Sequence, residues 1–385
     1  VKRFIRQWFD YSEQRMANAI ARVPAGTVTD QTRHDATPAV PEGIPVQVKI
    51  TVDPKAARIE VDLRDNPDCL DCGLNLSEAC STSAVVTALF NCLEWDIPKN
   101  AGSFRCIDVR LRENCCVGIP RFPHSCSMAT TNLTDRVVNV TQSAFAKLGD
   151  GFGLAQGGNA MGAPMAVISG FDGRHGGEPY INQIFVGKNG GPGGPAADGW
   201  VTYVLPNAGG VTYRDSIELD ELKYPIHIEM QRLAVDTGGA GRYRGAPAAE
   251  VVYGSKSGRM TVVIPSDGHY NPPQGVLGGG PGSAAATYRI AADGTREKKP
   301  NVCTFQIDMG EKVYGLDCGG GGYGDPMTRD PMRVLEDVLE GWVSLEAARD
   351  AYGVVLATDQ AEGGLAVDVT ATDRMRAKLR ATGSA

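Results

Sequence analysis

The sequence predicts an α+β fold: glycine-rich antiparallel β layers, several packed helices and a helical C-terminal tail. Three observations lead there. Helix-length stretches with apolar or small-residue faces occupy the first 150 residues and recur after residue 330. Between 150 and 325, short β-type runs are separated by Gly, Pro, Asn and Asp, the spacing of layered antiparallel sheet. The 48 glycines and 23 prolines call for many turns and close backbone approaches, and they follow no fixed period, which excludes collagen and solenoid architectures. The expected domains are an α/β region over 1–150, a β-rich region over 151–330 and a helical tail over 331–385.

The elements follow in order. Residues 1–23 read as one helix, with Phe4, Ile5, Trp8, Phe9, Tyr11, Met16, Ile20 and Ala21 as its apolar face and Pro24-Ala25-Gly26 as its stop. Residues 46–52 alternate strictly, residues 58–65 alternate too, and Asp53-Pro54-Lys55 turns between them, so the two form a hairpin. Residues 76–93 read as a helix capped by Ser77, and a strand follows at 104–111. Residues 132–149 read as a second helix that starts at an Asn or Thr cap and stops at Gly149. Strands are then expected in APMAVIS (163–169), YINQIFVG (180–187), WVTYVL (200–205), YPIHIEMQRLAV (224–235), AEVVYG (249–254), MTVVIPS (260–266), ATYRIAA (286–292) and VCTFQIDM (302–309). Pro331 at a first helical position opens a tail helix, Ser344 caps another, and the last twenty or so residues read as polar and loosely held.

Composition narrows the function. A net charge of −7 argues against nucleic acid and anionic membrane as partners. No apolar run reaches the roughly 18 residues of a membrane helix, and the amphipathic start VKRFIRQWFDYSEQRM is not a signal-peptide pattern. Ten cysteines in so large a chain predict reduced thiols in a cytoplasmic protein.

The glycine run CGGGGYGDPMTRDP (318–331) invites a nucleotide-loop reading. A Walker loop needs Lys-Ser/Thr after its last glycine, and a dinucleotide fingerprint needs G-x-G-x-x-G opening a helix; here Tyr323-Gly324-Asp325-Pro326 follows and the helix starts only after Asp330. The run therefore serves backbone geometry. Cys69 and Cys72 form a C-x-x-C, a weak zinc-pair candidate whose partners would have to come from Cys80, Cys115, Cys116 and Cys126. The most reactive-looking stretch is 121–136: His124, Cys126, Asn132 and Asp135 lie just before or at a helix start, where developing negative charge is stabilised. His124, Asn132 and Asp135 are the catalytic candidates; the alternative is that Thr131, Asn132 and Asp135 cap the helix. His175 and His269 lie in Asp- and Gly-containing loops as lesser candidates, His34 and His227 read as structural, and Arg242 and Arg244 read as an anion clamp or as partners of acidic residues.

Several stretches together resemble the hydantoinase B/oxoprolinase family: DYSEQRM (10–16), NAGSFRCIDV (100–109), VDTGGAGRYRGA (235–246) and GGGGYGDPMTRDPMRVLEDVLEGWVSLEAARDAYGVVL (319–356). The resemblance implies a B-type subunit that takes up a small-molecule substrate phosphorylated by a hydantoinase A-type, ATP- and Mg-binding partner, and then opens a hydantoin, lactam or oxoproline ring. It implies as alternatives a subunit of an acetone- or acetophenone-type ketone carboxylase, in which an enol phosphate meets CO2 or bicarbonate, or a non-catalytic structural subunit or fragment. Family members extend upstream of DYSEQRM with a His- and Asp-containing segment that resembles a metal site, so Mn or Zn in the complex and an N-terminal B-type segment on a separate chain are part of what the resemblance implies.

Overall fold

The computed structural model describes residues 1–159, 161–201, 203–210, 213–358 and 364–381. The architecture is α+β, as the sequence predicts. The chain divides into two compact units, Val1–Leu154 with Pro206–Gly209, and Ala155–Leu205 with Gly210–Ala385.

In the first unit, α1 (Lys2–Ile20) buries Ser12, Met16, Ala19 and Ile20. Its first seven residues are all exposed, so Phe4, Ile5, Trp8 and Tyr11 do not form the buried face expected of them; Trp8 and Tyr11 stack on each other instead, at 5.5 Å between centroids. A four-stranded sheet has the order β1 (Gly26–His34), β2 (Ile44–Asp53), β3 (Arg58–Asp62), β4 (Ile107–Arg110). The β2–β3 hairpin forms as expected, while β1, too polar to show in the alternation, pairs antiparallel with β2 from Gly26↔Val52 to His34↔Ile44. β2 places Ile44, Val46, Val48, Ile50 and Val52 inward at every second position, which fixes its register. α2 (Glu78–Cys92) starts at Ser77, whose hydroxyl accepts from the Cys80 N–H as a cap should. The strand expected at 104–111 begins only at Ile107, because Asn100 and Ser103 cap each other and wind α3 (Ala101–Phe104) first. α4 (Leu133–Ala146) packs against α2, β1 and β2, and every one of its residues is buried.

The second unit holds β5 (Val167–Asp172), β6 (Glu178–Gln183), α5 (Ile217–Lys223), β7 (Ile226–Leu233), β8 (Ala249–Ser255), β9 (Met260–Pro265), β10 (Ala286–Ile290), β11 (Arg296–Lys298), β12 (Val302–Ile307) and β13 (Lys312–Leu316). Two antiparallel sheets, ordered β11-β10-β13-β8-β7 and β12-β9-β5-β6, turn Val251, Tyr253 and Val313 of one and Ile168, Val262 and Ile264 of the other into a common core. WVTYVL forms no strand among its described residues. The tail holds α6 (Pro331–Leu339), α7 (Leu345–Asp350), a β14 (Leu356–Thr358)–β15 (Leu365–Val367) pair and α8 (Val369–Ala381). The end of the chain is thus helical rather than loose as far as residue 381, and Thr372 of α8 is buried with its hydroxyl accepting from the Val355 N–H.

The glycine run is the hub of this unit. Residues 319–323 donate in rotation: Gly319 to Ser283, Gly320 to Ala246, Gly321 to Gln156, then Gly322 to Gly280 and Tyr323 to Tyr243, each through backbone N–H to carbonyl at 2.8–3.2 Å. The first and fourth donors reach one neighbouring segment and the second and fifth another. Partners that repeat every third residue are the signature of a threefold extended helix. Neighbouring segments repeat the spacing, with Gly190 donating to Cys318 and Gly193 to Gly321. Backbones this close leave no room for side chains: a Cβ on Gly319 or Gly320 would lie 1.6 Å from the Thr237 carbonyl oxygen or 1.9 Å from that of Gly191.

One acidic pair in this unit sets a pH response. Asp220, 6% exposed, has its carboxyl pushed up to about 6, by burial first and then by the neighbouring Asp215 carboxylate. Because the folded chain holds this proton more tightly than the unfolded one, stability present below about pH 4 is lost as pH rises through about 6. Asp220→Asn is therefore expected to raise the melting temperature at pH 7–8 and to leave it nearly unchanged at pH 4, as read by calorimetry across that range.

Candidate functional site

α4 carries an unusual load for a buried helix. Asp135, Arg136 and Asn139 are all 0% exposed on its first two turns, and Asn132 immediately before it is equally buried. Local sequence explains the helix: no glycine or proline interrupts 133–146, and apolar residues alternate with polar ones at helical spacing. The expected side-chain cap is not made. The Asn132 amide instead faces His34 at the end of β1, Nδ2 to Nε2 at 3.4 Å. Thr131 Oγ1 donates to Asn132 Oδ1 at 3.2 Å, which fixes the amide's orientation. His34 Nδ1 lies 2.8 Å from the Asp35 carbonyl oxygen. A carbonyl can only accept, so Nδ1 carries the ring proton and Nε2 is left as an acceptor. The result is a relay of donors, Thr131 to Asn132 to His34 to Asp35, in the core of the unit.

The other α4 polar groups extend this network. Asp135 Oδ1 accepts from the Asn207 N–H at 2.9 Å, and the Asn207 amide donates to the Thr130 carbonyl at 2.5 Å, which ties 206–209 to the helix start. Arg136 donates to Thr32 Oγ1 on β1, and Ser143 to Asp30 Oδ2 at 2.6 Å. Gly43 closes the corner: its φ is +69° and a Cβ there would meet the His34 carbonyl oxygen at 2.4 Å. The arrangement gathers an imidazole, an amide and a carboxylate, all buried, at one helix start. His34, read from the sequence as structural, is fully buried and joins Asn132 across 98 positions of chain, and no local motif encodes that contact.

The remaining candidates fall elsewhere. His124 lines a cleft of about 330 Å³ with Asp71, Cys72, Gly73, Pro123 and Ser125, and its Nδ1 lies 3.3 Å from the Asp71 carboxylate; it makes no bond to Asn132 or Asp135. Cys69 and Cys72 are half-buried free thiols. No group of three His, Cys, Asp or Glu among the described residues is placed to hold a metal ion.

In the second unit His175 pairs with Asp172 and His227 with Glu221. Arg244 is buried in ion pairs, and Arg242 lies over the rings of Tyr243 and Tyr323. His269 sits in a buried polar patch with Asp267, Ser266 and Cys318, whose thiol donates to the Gly268 carbonyl at 3.5 Å. Beside Cys318, burial pushes the Asp317 carboxyl up to about 7, and burial also brings the Lys188 ammonium down to about 7. Nothing in the residues around 188 or 317 announces that pair in the sequence; each is a charge next to glycines, and only folding puts them together.

Comparison with known proteins gives a consistent picture. The model of the Hydantoinase B/oxoprolinase family matches residues 1–326. Caprolactamase subunit beta of Pseudomonas jessenii is 28% identical over 98% of this chain and 64% of its own length. The acetophenone carboxylase delta subunit of Aromatoleum aromaticum is 24% identical over 97% of this chain and 58% of its own. 5-oxoprolinase 1 of Arabidopsis thaliana is 24% identical over 74% and 21%. The chain thus spans less than two thirds of the length of these relatives. The crystal structure of the ATP-dependent caprolactamase from P. jessenii superposes with a TM-score of 0.81 at 24% identity, covering 98% of this chain and 64% of that one. A nucleotide-free acetone carboxylase follows at 0.78 and 17%, covering 94% and 53%. At those identities the two structures establish the fold. No helix among the described residues is long and apolar enough to cross a membrane.

Proposed function

We propose a function from one premise: the chain belongs to the hydantoinase B/oxoprolinase family. It acts as the B-type part of an ATP-dependent cyclic-amide hydrolase. An A-type partner binds ATP and Mg and phosphorylates the ring amide oxygen, and this subunit receives the activated ring for attack by water. The observation that carries the reading is the match to a caprolactamase beta subunit over 98% of this chain and 64% of that subunit.

The chemistry has a physical need. An amide carbonyl is a poor electrophile near neutral pH, and phosphorylation of its oxygen supplies a leaving group. Water attack then needs a proton acceptor near the carbonyl carbon and donors near the developing negative charge. In this reading Asn132 and the Asp135 carboxylate stand at the α4 start, His34 Nε2 holds the Asn132 amide, and Asp135 also holds the 206–209 segment through Asn207. His124 serves the separate cleft beside Asp71. The described residues do not fit an Mn or Zn centre, so no step here passes through a metal.

The test is reconstitution with an A-type partner and a lactam or hydantoin. Asn132→Ala and Asp135→Asn are expected to lower ring opening by about 100-fold, the scale of a lost acid–base or orienting group, while ATP cleavage on the partner and assembly of the complex persist. Unchanged ring opening in an assembled complex would leave this chain a structural subunit. The similarity to an acetophenone carboxylase subunit favours a second reading, in which turnover of ATP requires bicarbonate and a ketone; ring opening without bicarbonate decides against it.

A further inference from the structure

We propose that β6 pairs with β6 of a second copy of this chain, antiparallel across a twofold axis, so that two four-stranded sheets join into one. The sheet is ordered β12-β9-β5-β6, which makes β6 an edge. Val167 lies opposite Gln183 on one side and Val263 on the other, and Val263 lies opposite Thr304, so alternate residues of all four strands share one face. The opposite face carries Ile168, Val262 and Ile264 into the core. No outward position in 167–171, 179–183, 261–265 or 302–306 holds a charged residue. Phe171 and Ile181 are diagonal neighbours on that outward face and are 67% and 72% exposed.

The backbone of β6 fits such a partner. The Ile184 N–H donates to the Ala166 carbonyl, so the even residues of β6 bond to β5 and the odd ones turn their backbone groups outward. The outward N–H groups of Ile181 and Gln183 have no partner among the described residues. Pro179 has no N–H and offers only its carbonyl. With Ile181 opposite its own copy, each Ile181 N–H meets the other Ile181 carbonyl, and each Gln183 N–H meets the other Pro179 carbonyl. Both outward N–H groups are then used, and the proline falls where only a carbonyl is needed. The seam ends there, since the next outward N–H, that of Phe185, is already held by Asp215 Oδ2 at 2.7 Å.

Charge and edge chemistry select a second copy as the occupant. A chain of net charge −7 repels itself except across uncharged surface. The single charge on β6 is Glu178 at its first position. The twofold register keeps the two Glu178 carboxylates about 20 Å apart along the strands, well beyond the screening length of about 8 Å. Both edges of the five-stranded sheet carry charges that guard against pairing: β11 is Arg296-Glu297-Lys298, and β7 holds Glu229 and Arg232. At β12, the far edge of the same sheet, the Lys299 ammonium lies 5.1 Å from the Phe305 ring. At β6 the axis instead sets the exposed Ile181 against its own copy and continues the Phe171 patch across the seam. A contact between copies through one self-complementary patch closes as a dimer.

The seam is smaller than the roughly 1,200 Å² of a standard interface, so the dimer is weak and forms as concentration rises. Sedimentation velocity of the full chain is expected to show monomer giving way to dimer, with no larger species. Amide exchange at Ile181 and Gln183 is expected to slow over the same range, while Tyr180 and Asn182, bonded to β5, stay unchanged. Ile181→Lys sets two ammonium groups on the axis, and Gln183→Pro removes an outward N–H. Each is expected to abolish the dimer, whereas Thr304→Lys, on the same face of β12, is expected to keep it. The proposal is overturned by a chain that stays monomeric at every concentration, by a dimer that forms without slower exchange at Ile181 and Gln183, or by a mass that keeps growing as β6 of one copy meets β12 of the next. The exchange measurement needs no variant to fold.

Discussion

Gly320→Ala is expected to prevent folding of the second unit. The added Cβ would fall 1.9 Å from the Gly191 carbonyl oxygen and 2.5 Å from its carbon, both backbone atoms of a segment that is itself hydrogen-bonded into the same bundle. No side chain can rotate away to make room, so the 190–194 or 318–324 segment must move and break several N–H to carbonyl bonds at once. Overpacking costs about 1–3 kcal/mol even where a core yields; here a loss of about 3 kcal/mol or more follows, of the order of a domain's whole margin. The check is soluble yield and thermal melting beside Gly364→Ala, where a Cβ meets nothing within 4 Å among the described residues and φ lies outside the left-handed region. A Gly320→Ala chain melting like the Gly364→Ala control would refute the tight-bundle account.

Asp337→Ala is expected to detach the C-terminal helices from the same bundle. Asp337, on α6, accepts from Arg244 Nε at 2.7 Å and from Arg329 Nη2 at 2.7 Å, with all three side chains at 4% exposure or less. Arg329 also grips Asp198, and the Arg244 guanidinium stacks 4.4 Å from the Trp342 ring. Removing the carboxylate leaves the buried Arg244 cation without its ion-pair partner and strips Arg329 of one of its two, a loss of about 3–5 kcal/mol. A surface pair gives the contrast: Asp350→Ala, which releases the exposed Arg349, should cost less than about 1 kcal/mol. Denaturant unfolding of the two variants reads the difference, and limited proteolysis at 331–356 should accelerate only for Asp337→Ala.

How legible the protein was depends on the range over which each feature is encoded. The β2–β3 hairpin and the α2, α6 and α7 starts were readable because alternation and caps act within a few residues: Ser77, Asp330 and Ser344 all accept from backbone N–H groups two or three positions on. β1 was not readable, since Thr, Asp and Gln occupy it and only pairing with β2 makes it a strand. The α1 apolar face failed for the opposite reason: periodicity marks which residues share a face, but only from Ser12 onward does the helix have a core to meet. At the candidate site, Asn132 and Asp135 stood out by their place before an apolar helix, while their connection to His34 and Asn207 spans most of a unit and left no trace in spacing.

By itself, then, the sequence determined the α+β class, the family and the purpose of the glycine run. Periodicity, capping and turn chemistry are local, and a Gly-Asp-Pro-helix motif is specific wherever it occurs. Tertiary structure alone decided which backbones the four glycines touch, that Arg244 and Arg329 are consumed by Asp337 and Asp198, that Lys188 lies beside Asp317, and that the Asn132 amide faces an imidazole rather than capping its helix. Those facts rest on desolvation and on contacts between residues far apart in the chain, and neither quantity exists until the chain has closed on itself.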